Sequence, residues 1–479
     1  MKQRKLLALI IVLLPWSINA QPLSEEQRTQ LLQKYSALII NEPTYVNYAI
    51  LGRLHYQAGN MEQAEHYYSQ SVALYQDLNV LHEYANTLSI NNKFSLAISL
   101  YEYLSKLFPQ NSKIIHNLGH AYKELGAIDT AIALFDKAIA KNPELAEAHV
   151  SRSMAYLKQG DFLRGWPEYE WRWQQGGLQA RAFKQPLWNG EQLNGKRILL
   201  YAEQGLGDTF QFIRYAKIAK ERGGYVIAQV QDPLIDILSL CPYIDKLVKL
   251  YNYPDIPPFD YQAGIMSLPG ILKTTVDTIP LANGYLTARA DLVQTWKEYF
   301  ATDKQFKVGV CWQGNAYYKD TMLQVTVMYK SIKTSMLQPI CDMPGVSVYS
   351  LQKMTGTDHP EDYPTTLKVF GEQFDKDNGR FMDTAAVIAN MDLVITIDTS
   401  IAHLAAALGK PTWVLLPEPA DWRWLLNRSD TPWYTSMKLF RQPTPGNWQP
   451  VLDTITAELA ALIERTHDQT HIITNNSSH

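Results

Sequence analysis

The apolar positions of this chain change their period once. Across residues 41–175 they recur at helical spacing, and the helical pattern itself repeats every 34 residues. The clearest unit, 111–144, carries Leu118, Gly119, Tyr122, Gly126, Ala131, Phe135, Ala138 and Pro143. One period on stand Tyr156, Gly160 and Tyr169; one period back stand Ala97 and Pro109. An earlier unit with Leu51, Gly52, Gly59, Ala64 and Tyr68 lies one residue out of register with two full periods. About four helix pairs are predicted. The second is the weakest, because Asn91-Asn92 stands where the others have a glycine. From residue 196 the pattern becomes short apolar runs followed by helical stretches. Strands are predicted at 197–201, 225–230, 246–250, 261–268, 307–312, 346–351, 393–397 and 412–416. Such a series implies parallel sheets covered by helices.

The segments between these regions complete the organisation. Residues 21–40 read as a lead-in and 176–195 as a linker with short turns. The first lobe is expected at 196–285, an inter-lobe helix at 286–305, and a second lobe at 306–460. Residues 461–479 form a polar tail that reads as disordered from 466 on. Just before the linker, Trp166, Tyr169, Trp171 and Trp173 make an apolar face at near-helical spacing, expected to pack between the last repeat and the next domain. Two doubly wound lobes imply a cleft, with ligands at the carboxyl ends of strands.

Composition narrows the function classes. The 479 residues are 46% hydrophobic and 11% aromatic, enough for several packed cores. A formal net charge of -3 without a long basic run argues against nucleic acid as a partner. Cys241, Cys311 and Cys341 are far apart and odd in number, which argues against a zinc site or a disulfide framework; they read as buried thiols. Residues 1–20 differ from the rest: Lys2, Arg4 and Lys5 precede an apolar run over 6–16, and Ser17-Ile18-Asn19-Ala20 follows. That is the order of a secretory signal, expected to be cleaved after Ala20, with an uncleaved anchor as the alternative. The mature chain is then exported, periplasmic or secreted, with no stable membrane span.

Two strand-end loops carry the candidate chemistry. In Gly205-Leu206-Gly207-Asp208 the glycines permit close backbone approach to a ligand, and the helix that follows offers free amides. The Asp208 carboxylate there could cap the helix or accept a proton from a substrate hydroxyl. The second loop, Asp398-Thr399-Ser400, follows a strand and opens a small-residue helix with His403 in its first turn. It resembles a diphosphate cradle without a phosphate-loop lysine. His403 reads either as a lining group or as a satisfied core histidine.

The repeat unit resembles the tetratricopeptide (TPR) helix pair. Arrays of this kind bury their core by stacking and commonly offer a concave groove to a peptide or protein, or else prop up a neighbouring domain. The two loops, with Asp383-Thr384-Ala385-Ala386, Asp421-Trp422-Arg423-Trp424, Arg428, Pro432-Trp433-Tyr434 and Arg441-Gln442, resemble the heptosyltransferase-like glycosyltransferases (family 9) over residues 196–453. The resemblance implies a GT-B fold of two Rossmann-like lobes. It also implies inverting transfer of a hexosyl or heptosyl group from a nucleotide-diphosphate donor, with no metal or other cofactor beyond the nucleotide-sugar co-substrate. Asp208 becomes the general base, and Gly205, Gly207, Asp398, Thr399, Ser400 and His403 line the donor's diphosphate. Relatives commonly place a proline, a histidine and arginines after the Trp-x-Gly-Asn strand end; here Ala316-Tyr317-Tyr318-Lys319-Asp320 follows Asn315, leaving Lys319 and Lys330 as candidate cations. The acceptor, protein or glycan, is expected in the TPR groove. Two other readings stay open: a non-catalytic TPR scaffold with a degenerate transferase domain, and a hydrolase or other sugar-active enzyme on the same fold.

Overall fold

The computed structural model describes residues 23–176, 181–315, 321–353 and 360–476. The predicted signal (1–20) and Lys319 lie outside the described residues. Among the described residues, those up to Arg152 together with 321–325 form one compact unit, and the others from Ser153 on form a second.

The first unit is built from helix pairs: α1 Glu25–Asn41, α2 Tyr45–Gln57, α3 Met61–Leu74, α4 Leu78–Ile90, α5 Phe94–Leu107, α6 Ser112–Glu124, α7 Ile128–Lys141 and the start of α8 Ala146–Gln159. Side-chain caps start the first helix of several pairs. Thr44 accepts from Asn47 N, Asp77 from Asn79 and Val80 N, and Asn111 from Lys113 and Ile114 N. Within a pair the turn residue is left-handed. Gly59, Gly126 and Gly160 have φ of 80°, 83° and 84°, and Asn92 takes the same conformation at φ 59° in the unit that lacks the glycine. Small residues let the paired helices touch: a Cβ on Gly52 would lie 2.7 Å from the Tyr68 ring, and one on Gly119 2.8 Å from Phe135. The lead-in is itself a helix. Ser24 and Gln27 form a reciprocal capping box at its start, and Tyr35 packs on Ile50, Leu51 and Leu54, covering the apolar face of the first pair.

The second unit holds two all-parallel sheets. Strands β1 Arg197–Tyr201, β2 Tyr225–Val230, β3 Lys246–Lys249 and β4 Tyr261–Gly264 are ordered β3-β2-β1-β4. Strands β5 Phe306–Cys311, β6 Val346–Ser350, β7 Leu393–Ile397, β8 Thr412–Leu416 and β9 Met437–Arg441 are ordered β6-β5-β7-β8-β9. In the centre of the first sheet Leu199 pairs with Ile227 on one side and Gln262 on the other. The central strands are buried on both faces, as crossover helices require. The helices of this unit include α9 Phe162–Tyr169, α10 Leu206–Phe212, α11 Ala216–Glu221, α12 Ala290–Tyr299, the later part of α13 Thr321–Lys330, α14 Met382–Asn390, α15 Ser400–Ala407 and α16 Gln449–Asn476.

Several segments differ from the sequence-based expectation. Helix α9, the second helix of the fourth pair, belongs to the second unit. Its aromatic face packs on that unit's own residues: Trp166 lies 5.5 Å from Trp422, Phe162 lies 5.8 Å from Trp433, and Trp166 Nε1 donates to Thr274 O. Residues 176–195 do more than link. Leu187 bridges to Gln262 beside β4 and Trp188 is fully buried, so the segment extends the first sheet at its edge. The strand expected over 261–268 ends at Gly264, where the chain turns into a short helical stretch. The helix expected at 286–305 is the shorter α12. It packs on α14, where Trp296 Nε1 donates to Asp383 Oδ1 and Asn390 donates to Val293 O. The polar tail continues α16 to Asn476 rather than leaving it. Val451, Leu452, Ile455, Leu459 and Ile463 anchor that helix at three- and four-residue spacing. All three cysteines are buried free thiols.

Candidate functional site

Each loop singled out in the sequence sits at the carboxyl end of a parallel strand. After β1, Gly205 takes the N-cap position of α10. Its N–H donates to Asp208 Oδ2 at 2.8 Å, so the aspartate caps its own helix. Gln231, just past β2, braces the turn by donating to Gln204 O at 2.8 Å and accepting from Thr209 Oγ1 at 2.9 Å. Glu203 anchors the loop's other end. Its Oε2 accepts from Arg172 Nε and Nη2 at 3.0 and 2.8 Å, its Oε1 accepts from Met266 N, and the Arg172 fork also donates to Ser267 Oγ. Burial pushes the Glu203 carboxyl up to about 7, against the opposing pull of Arg172.

The second loop follows β7. Thr399 caps α15 by accepting from Ile401 N, and its hydroxyl lies 3.3 Å from that of Thr396. Asp398, Thr399 and Ser400 are half-buried, with Ser400 as the first residue of the helix. Burial raises the Asp398 carboxyl, opposed chiefly by the charge of Lys330 at the end of α13. His403 is buried. It stacks on Trp424 at 5.6 Å and shares a 3.0 Å hydrogen bond between Nδ1 and the Tyr434 hydroxyl. Burial, then the nearby Arg423 and Arg214, pushes it down to about 3, so it is neutral at ordinary pH.

The two loops meet. A Cβ on Gly207 would lie 3.0 Å from His403 Cδ2 and 3.6 Å from the Ser400 Cα. Only a residue without a side chain lets α10 and α15 come this close, so Asp208 and the Asp398–Ser400 segment share one site. Gly205, Gly207, Asp208, Asp398, Thr399, Ser400 and His403 are therefore gathered together.

A third element, unassigned in the sequence, completes the site. After β8 the chain runs through Asp421-Trp422-Arg423-Trp424, and the Arg423 guanidinium uses each of its nitrogens. Nη2 donates to Asp208 Oδ1 at 2.5 Å, Nη1 to Asp421 Oδ1 at 2.9 Å, and Nε to Gln211 Oε1 at 2.9 Å. Arg423 also lies 4.5 Å from the Trp422 ring. It is buried, and Asp421 and Asp208 hold its charge in place. Asp421 is held below its ordinary range: burial would raise it, but Arg423 more than offsets this. Arg214 braces the far side, donating to Gln211 O and Trp433 O at 2.7 Å each and to the Tyr285 hydroxyl. The sequence carried Arg423 only within a supporting stretch. Its partner lies 215 residues away, which no local pattern could indicate.

Residues 380–416, spanning α14, β7, the Asp398–Ser400 loop, α15 and β8, match the model of glycosyltransferase family 9 (heptosyltransferase). Residues 46–78 and 119–160 match tetratricopeptide repeat models. The chain thus joins segments that match tetratricopeptide repeats to a segment that matches the family 9 glycosyltransferase model. A curated relative, protein FlbA of Caulobacter vibrioides, is 26% identical over 390 residues, which cover 76% of this chain and 64% of FlbA; the match thus spans less than two thirds of that relative's length. Similar solved structures include a crystal structure of MamA (17% identity, 32% of this chain, 90% of that one, TM-score 0.29). Another is MamA residues 41 to the end from Desulfovibrio magneticus (15%, 32%, 89%, TM-score 0.29). Among the described residues, no helix is long and apolar enough to cross a membrane.

Proposed function

We propose that the chain is an inverting glycosyltransferase of GT-B architecture. It would move a sugar from a nucleotide-diphosphate donor to an acceptor hydroxyl, with Asp208 as base. The observation that carries this reading is the convergence of Asp208 with the family-matched Asp398–Ser400 loop, made possible by Gly207 packing under His403. In the reaction, the acceptor hydroxyl gives its proton to Asp208 as its oxygen bonds to the anomeric carbon. The bond from that carbon to the donor's phosphate oxygen breaks, and its electron pair leaves with the nucleoside diphosphate. The α15 amides, Thr399, Ser400, Lys330 and Arg423 are the groups available to receive that charge. The repeats would recruit a protein or glycan acceptor. The basic, apolar, small-residue order of residues 1–20 supports export.

The test is a thermal-shift panel of nucleoside diphosphates and nucleotide sugars on the purified chain. A stabilising shift with one base type is expected, and no shift with any of them sinks the donor assignment. With an acceptor in hand, Asp208→Asn is expected to cut turnover by roughly 10²–10⁴-fold, the range for a lost general base. Undiminished turnover would remove Asp208 from that role. A second reading, a nucleotide-sugar-binding scaffold without turnover, is favoured by one observation: both oxygens of Asp208 are engaged, one by Gly205 N and one by Arg423. Donor binding without transfer or hydrolysis would select it.

A further inference from the structure

The Asp208–Arg423 pair is an odd arrangement for a base and an anion-binding cation. Asp208 Oδ1 and Arg423 Nη2 are bonded to each other, so the oxygen a substrate proton would need and the N–H a phosphate would need are both occupied. Arg423 is not rigidly committed to Asp208, however. Asp421 takes Nη1, Gln211 takes Nε and the Trp422 ring lies against the guanidinium, so the Nη2 end can change partner while the rest stays anchored. One further group is unsatisfied nearby. The Gln211 amide nitrogen is fully buried and has no hydrogen-bond partner among the described residues. Its orientation is fixed, because Gln211 Oε1 must face Arg423 Nε. A buried donor left without an acceptor beside a guanidinium is a cost that an arriving anionic oxygen can offset.

We infer that Asp208 and Arg423 form a donor-released latch: in the free protein each blocks the other, and a nucleoside diphosphate takes the Nη2 end of Arg423 and thereby frees Asp208 Oδ1 to accept the acceptor's proton. The inference rests on the donor reading above and adds an order of events to it. The base becomes competent only when the donor's diphosphate is in place, so an acceptor bound alone meets a carboxylate whose oxygens are both occupied.

The latch makes a counter-intuitive prediction: removing the carboxylate should tighten nucleotide binding. Titration calorimetry with uridine, guanosine, adenosine and cytidine diphosphates, on the full chain, reads it. Asp208→Asn is expected to bind the preferred diphosphate about tenfold more tightly than the unaltered protein, the worth of one charge-assisted hydrogen bond no longer competed for. Arg423→Gln is expected to bind it about tenfold more weakly. The double variant is decisive. With Arg423 gone there is nothing to release, so Asp208→Asn should give no gain in that background. An equal gain in both backgrounds would mean simple charge repulsion, and no gain in either would mean no competition; both results overturn the latch and leave the donor reading standing. No binding by any of the four proteins overturns the donor reading, and the latch falls with it. Should Arg423→Gln fail to fold, Arg423→Lys serves: it keeps the charge but loses the fork, and the gain from Asp208→Asn should shrink below about twofold.

Discussion

His403 offers the sharpest test of how the site is held together, through the variant His403→Gln. Glutamine keeps a polar partner for the Tyr434 hydroxyl but cannot take up a proton. In the folded protein burial and the Arg423 and Arg214 charges push His403 down to about 3, whereas in the unfolded chain it titrates near the ordinary value of about 6.5. The folded state thus resists protonation. The stability this contributes is fully present above about pH 6.5 and is lost as pH falls from there toward 3. Integrating the linkage from pH 7 to pH 5 gives a loss of about 2 kcal/mol, set by the unfolded value alone because the folded group stays neutral throughout. A buried carboxyl with a raised value works against it in that window. Glu203, pushed up to about 7, contributes stability that is present below about pH 4.5 and lost as pH rises through 7. The unaltered protein is therefore flatter with pH than either group alone, and the difference between proteins is the quantity to read. Urea unfolding can be followed by tryptophan fluorescence, because every tryptophan among the described residues lies in the second unit. His403→Gln should be less stable than the unaltered protein at pH 7, and the gap should close by about 2 kcal/mol by pH 5. Parallel pH curves for the two proteins would refute the idea that a neutral His403 is clamped between the loops.

Three other outcomes follow from the packing. Glu203→Gln should destabilise the second unit by about 3 kcal/mol near pH 7, because the buried Arg172 keeps only the half-exposed Glu170 as a charged partner; urea midpoints measure it, and the cost should be larger at pH 5, where the unaltered protein gains the Glu203 contribution and the variant does not. Gly207→Ala must push on a histidine pinned by both Trp424 and Tyr434, so it should cost about 1–3 kcal/mol and weaken nucleoside diphosphate binding in the same calorimetric assay. Asn92→Ala should lower the stability of the repeat unit by about 1 kcal/mol while Asn92→Gly should not, since only alanine is penalised at φ 59°; circular dichroism melts of the two variants separate the cases.

The sequence was most legible where structure is local. The 34-residue period located the helix pairs, because each pair needs a left-handed turn and a small residue under an aromatic ring, and these needs recur at fixed offsets. Even the weak second unit follows the rule, with Asn92 adopting the backbone conformation that glycine supplies elsewhere. The strand-then-helix alternation likewise marked the parallel sheets. What escaped was non-local. Trp188 reads as part of a linker until Gln262 is seen beside it, since a single bridge to a sheet edge leaves no periodic trace. Arg423 shows the same limit at the site. Nothing in Asp421-Trp422-Arg423-Trp424 distinguishes an arginine that reaches Asp208 from one that reaches solvent; the distinction is made by two helix starts converging over Gly207.

That limit bears on how the site is to be understood. Asp208 could be read from the sequence as a cap or as a base, and the structure places it in a third relation, paired with a cation from the other sheet. The capping oxygen and the paired oxygen are different atoms: Oδ2 serves Gly205 and Oδ1 serves Arg423. The helix start therefore need not come apart for Oδ1 to change partner. A group that caps through one oxygen and exchanges partners through the other can be structural and reactive at once, which is why neither sequence-level alternative had to exclude the other.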